Sequence, residues 1–227
     1  MSAAPLRVAV VGAGGRLGRF ALELLREAQG FELVAGYDSR DDWPALVGPS
    51  GAQVALEATR AGLGCEHGLA LLAAGVRPVI GTSGVSAADG ERLDREARRL
   101  GLGGLIVPNF SLGSLLLQRF AAEAVRHFPD AEIVELHHER KADAPSGTAA
   151  ETARRMAAAR DATRAQPERP DEPRERGARH GGIPVHSVRL PGLYAHQEVH
   201  FGAAGETLVL RHDMSGPQAF GPGILAA

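Results

Sequence analysis

Three features of the sequence predict an α/β chain in two parts, an N-terminal parallel sheet and a second, α+β domain built on a mixed or antiparallel sheet. Near the start, an apolar strand runs through a glycine-rich turn into a helix. Strand-like and helix-like segments then alternate through the first half, which favours parallel strands joined by helical crossovers. Near the end, three strand-like segments follow one another with only turns between them, which favours antiparallel pairing. With 227 residues, 44% of them hydrophobic, the chain can fill one large core or two modest ones.

Leu6–Val11 is a valine-rich run that ends at Gly12. Residues 19–29 carry Phe20, Leu24, Leu25 and Ala28 at helical spacing, and Gly30 stops them. Phe31–Tyr37 forms a second strand that ends at Asp38. The alternation continues with strands at 54–58, 76–80 and 105–107, and helices at 67–74 and Ala87–Leu100. Pro108-Asn-Phe-Ser111 breaks it. A helix over 112–127 follows, then a strand over 131–138 and a helix over 148–159. Residues 161–182, rich in Arg, Glu, Pro and Gly, read as a solvated loop. Strands at 185–190, 196–201 and 207–212 complete the second sheet, and 218–227 is expected to form a short helix.

Composition excludes several classes. A net charge of -2 and 4% aromatic residues leave neither the basic surface nor the stacking side chains of a nucleic-acid binder. The N-terminus runs straight into the first strand, without a leader pattern, and no apolar run reaches the ~18 residues of a membrane span. Cys65 stands alone, which rules out an internal disulfide framework and fits a reducing compartment. The expectation is a cytoplasmic protein with no membrane partner.

Of the 25 basic residues, 24 are arginine and one, Lys141, is lysine. A lysine is a compact charge that burial can tune, whereas arginine holds its proton permanently. Asn109 is likewise the only asparagine.

Gly12-Ala-Gly-Gly-Arg-Leu-Gly18 follows a strand and opens a helix, and Asp38 ends the next strand about 20 residues later. Backbone N–H groups at a helix start, free of side chains, suit a dinucleotide pyrophosphate, and an acid at the second strand end suits a ribose. The spacing is G-x-x-G-x-x-G, because Leu17 stands where the strict fingerprint has its last glycine. Asp38 favours NAD, while Arg16 and Arg40 nearby offset its repulsion of a 2′-phosphate. NADH and NADPH both remain open. This first half is a Rossmann-type domain.

The second informative stretch is Glu135-Leu-His-His-Glu-Arg-Lys-Ala-Asp-Ala-Pro-Ser-Gly-Thr148. Alternation puts Ile133, Glu135 and His137 on one strand face, and Val134, Leu136 and His138 on the other. Two histidines and the lysine then meet at one rim, facing a helix that starts near Gly147. Thr148 and Glu151 have capping-box spacing, so backbone N–H groups there offer an anion site. Together these groups suit a small carboxylate substrate and leave a histidine to deliver a proton. Each part alone has a plainer reading, as a polar rim or a helix cap; their combination with the lone lysine favours function.

The motifs Val8-Ala-Val-Val-Gly-Ala-Gly-Gly-Arg-Leu-Gly-Arg19, Gly81-Thr-Ser-Gly84, Pro108-Asn-Phe-Ser111 and His137-His-Glu-Arg-Lys-Ala-Asp-Ala-Pro-Ser-Gly-Thr-Ala149 resemble 4-hydroxy-tetrahydrodipicolinate reductase, formerly dihydrodipicolinate reductase, along nearly the whole chain. The resemblance implies an NADH- or NADPH-dependent reduction of a cyclic imine dicarboxylate in lysine and diaminopimelate biosynthesis. It implies cofactor contacts at Gly12, Ala13, Gly14, Gly15, Arg16, Leu17, Asp38 and Arg60. Gly81, Thr82 and Ser83 would pass under the nicotinamide side, with Val107, Pro108, Asn109 and Phe110 lining the same cleft and the hinge. His137 would be the general acid and Lys141 the second catalytic residue. His138, Gly147 and Thr148 would hold the substrate carboxylate. The implied domains are a dinucleotide-binding 1–109 and a substrate-binding and oligomerisation 110–212, with 213–227 packing back on the first. The implied assembly is a homotetramer, in keeping with open sheet edges in the second half. Two departures stand out: the segment between Asp38 and Val54 is short, and Pro217 stands where many members carry arginine.

His196-Gln-Glu-Val-His200 lies in a strand and lacks the helical spacing of a zinc pair, so no metal is expected. Two further readings share the fold: an oxidoreductase acting on another amino or imino acid, and a non-catalytic nicotinamide sensor. A sensor would tolerate loss of His137 and Lys141.

Overall fold

The structure, a computed structural model, describes residues 4–128, 130–160 and 176–227. Its elements run β1 (Leu6–Val11), α1 (Arg16–Glu27), β2 (Phe31–Tyr37), α2 (Trp43–Leu46), β3 (Val54–Glu57), α3 (Gly64–Ala73), β4 (Arg77–Ile80), α4 (Ala87–Leu100) and β5 (Leu105–Ile106). Then come α5 (Leu112–Ala124), β6 (Asp130–His137), α6 (Gly147–Ala159), β7 (Ala178–His180), β8 (Ile183–Arg189), β9 (Ala195–Ala203), β10 (Glu206–Met214), a 3-10 turn (Pro217–Phe220) and α7 (Gly221–Ala226). Contacts divide the chain into residues through Phe110 with Phe220–Ala227, and Ser111–Ala219. The crossings at 110/111 and 219/220 compare with 109/110 and 212/213 expected from sequence. The second moves because β10 pairs as far as Met214 and the 3-10 turn follows it.

In the first unit five parallel strands lie in the order β2-β1-β3-β4-β5. A sheet covered on both faces needs apolar residues at every position of its central strand. β1 meets that need over Val8–Val11: Val8 and Val10 pack toward Ala21 and Leu25 of α1, and Ala9 and Val11 toward Trp43, Val47 and Leu71. Ile224 of α7 joins the α1 side, so the chain's last residues complete this core. Strand order reverses at β1/β3, and ligands of such sheets bind beyond the strand ends at that point. α1 begins at Arg16, three residues before the start expected from sequence at residue 19, because Gly15 caps it and its carbonyl accepts the Arg19 N–H at 2.9 Å. α2 was not expected. Its four residues are too few to show a helical period, and Trp43 anchors it in the core.

The second unit holds the mixed sheet β10-β9-β6-β8-β7, in which β6 and β8 run parallel and the other neighbours antiparallel. α5 and α6 cover one face through Leu117, Ala121, Ala149, Ala153 and Met156, against Ile133, Val185, Val199 and Phe201. The opposite face carries Val134, Leu136, His186, Val188, His196, Glu198 and His200, half-buried, with Val209 and Arg211 exposed. Of the expected loop 161–182, residues 161–175 lie outside the described residues. Ala178–His180 departs from it as strand β7, turning at Gly181 and Gly182 to pair with β8. Among the described residues, no helix is long and apolar enough to cross a membrane.

Candidate active site

In the first unit, the residues expected to hold a nucleotide follow the C-terminal ends of the parallel strands. The turn after β1 folds on backbone alone: Gly12 and Ala13 N–H both donate to the Tyr37 carbonyl, at 2.9 and 2.8 Å. Gly12 takes φ +93°, and a Cβ there would stand 2.5 Å from the Ala58 carbonyl oxygen. A Cβ at Gly18 would stand 2.0 Å from the Gly12 oxygen, so only glycine lets α1 start this close to the turn. Arg16 and Leu17 open the helix, with no acidic residue in the first turn and no side chain capping it. Its positive end is left for an anion.

Asp38 lies against this turn, its Oδ2 2.3 Å from where a Cβ on Gly14 would be. Its other oxygen accepts the Ser39 N–H at 2.6 Å. Beyond β4, a Cβ on Gly81 would meet the Phe110 ring at 2.5 Å, so Gly81 and Phe110 are packed together. Thr82 is buried and its Oγ1 accepts the Thr59 N–H at 3.1 Å, while the Ser83 carbonyl accepts from Gly62 at 3.0 Å. Val107 continues the β4–β5 pairing to the Ile80 carbonyl at 2.8 Å, and exposed Pro108 with half-buried Asn109 leads to Phe110. Arg60 is exposed beside this rim. The cradle of N–H groups, which side chains would fill, fits a dinucleotide.

Sequence reasoning missed Glu57, at the end of β3. It is wholly buried, and one oxygen is shared by the Thr59 hydroxyl and by His67 Nδ1 at 3.0 Å. The other, Oε2, has no hydrogen-bond partner among the described residues. His67 in turn meets the Trp43 ring edge-on at 5.1 Å. Glu57 and His67 sit on different elements, and no spacing rule links them.

In the second unit, His137 ends β6 with its side chain 14% exposed. Its Nδ1 lies 2.5 Å from Glu135 Oε2. The loop turns back at once, the Lys141 N–H donating to the His138 carbonyl at 3.1 Å. Lys141 Nζ then donates to both oxygens of Asp143, at 2.7 and 2.9 Å. Burial alone would push the Asp143 carboxyl up; the Lys141 ammonium outweighs it and holds the group below the usual carboxylate range. His138 is half-buried, and its Nδ1 is without a hydrogen-bond partner among the described residues. Such an atom costs stability unless a ligand or water meets it.

The helix start differs in detail from the expected capping box. Ser146 is the cap of α6 and accepts the Ala149 N–H at 3.2 Å. Thr148 lies inside the first turn, and Glu151 turns outward to Arg154 and Arg155, each at 2.7 Å. With Ser146 as the cap, Glu151 lies two residues past the third helical position, and hydrogen bonds, Arg154's first, hold its carboxyl at about 2. Gly147 remains open, with nothing within 4 Å of an added Cβ.

Glu135 and Arg189 were also missed. Glu135 is wholly buried, and Arg189, ending β8, donates Nη2 to its Oε1 at 2.7 Å and Nη1 to its Oε2 at 3.0 Å. Burial by itself raises the Glu135 carboxyl; hydrogen bonds from His137, Arg189 and Ser187 outweigh it and hold the group at about 2. The polar histidines of β9 are engaged elsewhere, His196 with Asp213 and His200 with Glu198, both at 2.8 Å.

Two family models cover the chain, one described as dihydrodipicolinate reductase, N-terminus, over residues 6–110, and one as its C-terminus, over residues 113–227. A 4-hydroxy-tetrahydrodipicolinate reductase from Beutenbergia cavernae is 46% identical, covering 98% of this chain and 91% of its own. One from Halalkalibacterium halodurans is 41% identical over 96% of this chain and 91% of its own. Among solved structures, dipicolinate-bound dihydrodipicolinate reductase from Paenisporosarcina sp. TG-14 superposes with a TM-score of 0.84 and 36% identity, covering 97% of this chain and 92% of its own.

Proposed function

The chain belongs to the dihydrodipicolinate reductase family, and from that premise we propose that it reduces 4-hydroxy-tetrahydrodipicolinate to tetrahydrodipicolinate at the rim formed by β6 and α6. It is an NAD(P)H-dependent oxidoreductase of lysine and diaminopimelate biosynthesis. The reaction adds a hydride at C4 of the cyclic imine dicarboxylate, takes up a proton and releases water. When bound, the nicotinamide supplies the hydride.

The chain's own residues do the rest. Gly12, Ala13, Gly14, Gly15, Arg16 and Leu17 receive the pyrophosphate, and Asp38 the adenosine ribose, with Arg60 beside it. Gly81, Thr82, Ser83 and the stretch Val107, Pro108, Asn109 and Phe110 shape the nicotinamide end. His137 gives the proton, and Lys141 exchanges the Asp143 carboxylate for a carboxylate of the substrate. His138, Gly147 and Thr148 hold the dicarboxylate. The observation that supports this most is the convergence at one strand end of a half-buried imidazole, the single lysine and an open helix start. An anion site, a proton donor and a cation are what reduction of a dianionic imine requires.

The protein assembles as a homotetramer. Its support is the uncovered face of the second sheet, with cations and anions interleaved (Arg211 beside Glu198 and Asp213), so that a second copy can complement it. Leu115, Leu116 and Phe120 of α5 are about half exposed, at 50%, 47% and 53%. The protein works in the cytoplasm, in keeping with one free buried cysteine.

The purified chain, given the synthase product that yields this imine, is expected to oxidise NADH or NADPH in step with its consumption. Oxidation with another imino acid and none with this one would favour the broader oxidoreductase reading. Light scattering at the mass of four chains is the expected result for assembly; a monomer would overturn it.

A further inference from the structure

Glu135 is out of place by composition. It points into the side of β6 that faces the helices, in register with buried Ile133, and exposes no surface. A carboxylate moved there from water destabilises the fold unless its oxygens are met, and an apolar side chain of similar size would avoid that cost. Its oxygens are met fully: Oε1 accepts Arg189 Nη2 and the Ser146 N–H, and Oε2 accepts Arg189 Nη1 and His137 Nδ1. A buried pair that merely joined β6 to β8 would need Arg189 alone.

Apart from Ser187, its neighbour across on β8, the remaining partners belong to the candidate site. His137 is the expected proton donor. Ser146 caps the helix whose first residues are Gly147 and Thr148. Arg189, besides holding Glu135, donates Nη2 to the Asp143 carbonyl at 2.8 Å, and Asp143 carries Lys141. One buried carboxylate thus fixes the imidazole, while it and its arginine hold the far end of the loop that carries the lysine.

We propose that Glu135, held by Arg189, is the positioning residue of this reductase: it keeps the Nδ1 proton of His137 facing the buried carboxylate, so that Nε2 is the nitrogen that hands a proton to the substrate. This rests on the reading of His137 as the donor. The imidazolium gives up its Nε2 proton and becomes the Nδ1–H tautomer, the one already hydrogen-bonded to Glu135, so no group reorients during the transfer. Arg189 has only donors to offer. In a Glu135→Gln variant the amide oxygen therefore takes the place of Oε1, where Arg189 Nη2 and the Ser146 N–H both donate, and the amide N–H takes the place of Oε2, facing His137 Nδ1 and Arg189 Nη1. The ring is then held in its Nε2–H tautomer, which cannot release that proton without forming an imidazolate. The shape survives and the proton delivery does not.

The test combines long-range 1H–15N spectra of the histidine rings with kinetics. In the wild type, His137 is expected to be the Nδ1–H tautomer when neutral; the Nε2–H tautomer would overturn the proposal, with no variant needed. Glu135→Gln is expected to switch the tautomer, lower kcat about 100-fold, leave dipicolinate affinity within about threefold, and move the alkaline limb of the pH profile to lower pH. A Glu135→Gln enzyme with wild-type kcat and an unchanged tautomer would also overturn it. If His137→Ala keeps its rate, it is the reading of His137 that fails, and the spectra still report on Glu135.

Discussion

The glycine turn after β1 and the loop after β6 both follow a strand and open a helix, yet they are built from different material. The first is backbone: two N–H groups on one carbonyl, and glycines where any Cβ would strike main chain. The second is charge: His137, Lys141 and Asp143 at the surface, held from beneath by Glu135 and Arg189. A cofactor common to many enzymes needs a site that side chains stay out of, whereas one dianionic substrate needs side chains at fixed distances. The two rims should therefore fail in different ways when altered.

The backbone rim should tolerate nothing. Gly12→Val places a branched Cβ at φ +93° and against the Ala58 carbonyl. It is expected to weaken NADH binding at least about 100-fold, equivalent to about 3 kcal/mol. Fluorescence titration checks this, and unchanged affinity would show that the turn does not cradle the cofactor.

The charged rim should instead answer to pH. Glu135 is held at about 2 instead of the ordinary 4.5, so its ionised form stabilises the fold above about pH 4.5. That stability, about 3 kcal/mol, is lost as pH falls through about 2. Urea unfolding between pH 6 and pH 3 should show a steeper loss for the wild type than for Glu135→Gln. Parallel curves would remove Glu135 from the acid transition.

Smaller effects sharpen the contrast. Ser146→Ala removes the cap of α6 and should cost about 1 kcal/mol in thermal or chemical unfolding, with NADH binding untouched. Asp143→Asn frees the Lys141 ammonium from its exposed partner. Since such pairs contribute at most about 1 kcal/mol, KM for the dicarboxylate should fall by no more than about fivefold. A rise in KM would mean that Asp143 positions Lys141 for the substrate and does not compete with it.

The same contrast explains what could be read in advance. The glycine turn, Asp38 and the parallel strands were legible because backbone constraints leave a fixed spacing in the chain. His137 and Lys141 were legible because a lone lysine among arginines stands out. Their supports were not: Arg189 is brought to Glu135 only by the parallel pairing of β6 with β8, which joins residues 54 apart. Glu135 did leave one sign, a charged residue next after Ala131 and Ile133 on the inward strand face. The cap was placed two residues late, at Thr148, because Thr148-x-x-Glu151 matches the capping-box pattern, while the side chain that meets the open helix N–H is that of Ser146. α2 is too short to show a period, and Glu57 meets His67 only through the packing of α3 beside β3.

The claim beneath all of this is that proton delivery belongs to the β6–α6 rim and cofactor binding to the glycine turn. Turnover and NADH affinity measured together on His137→Ala test it directly. The account predicts a kcat lowered about 100-fold to 10,000-fold with NADH affinity within twofold of the wild type. A variant that keeps near-native turnover, or loses NADH binding instead, would contradict it.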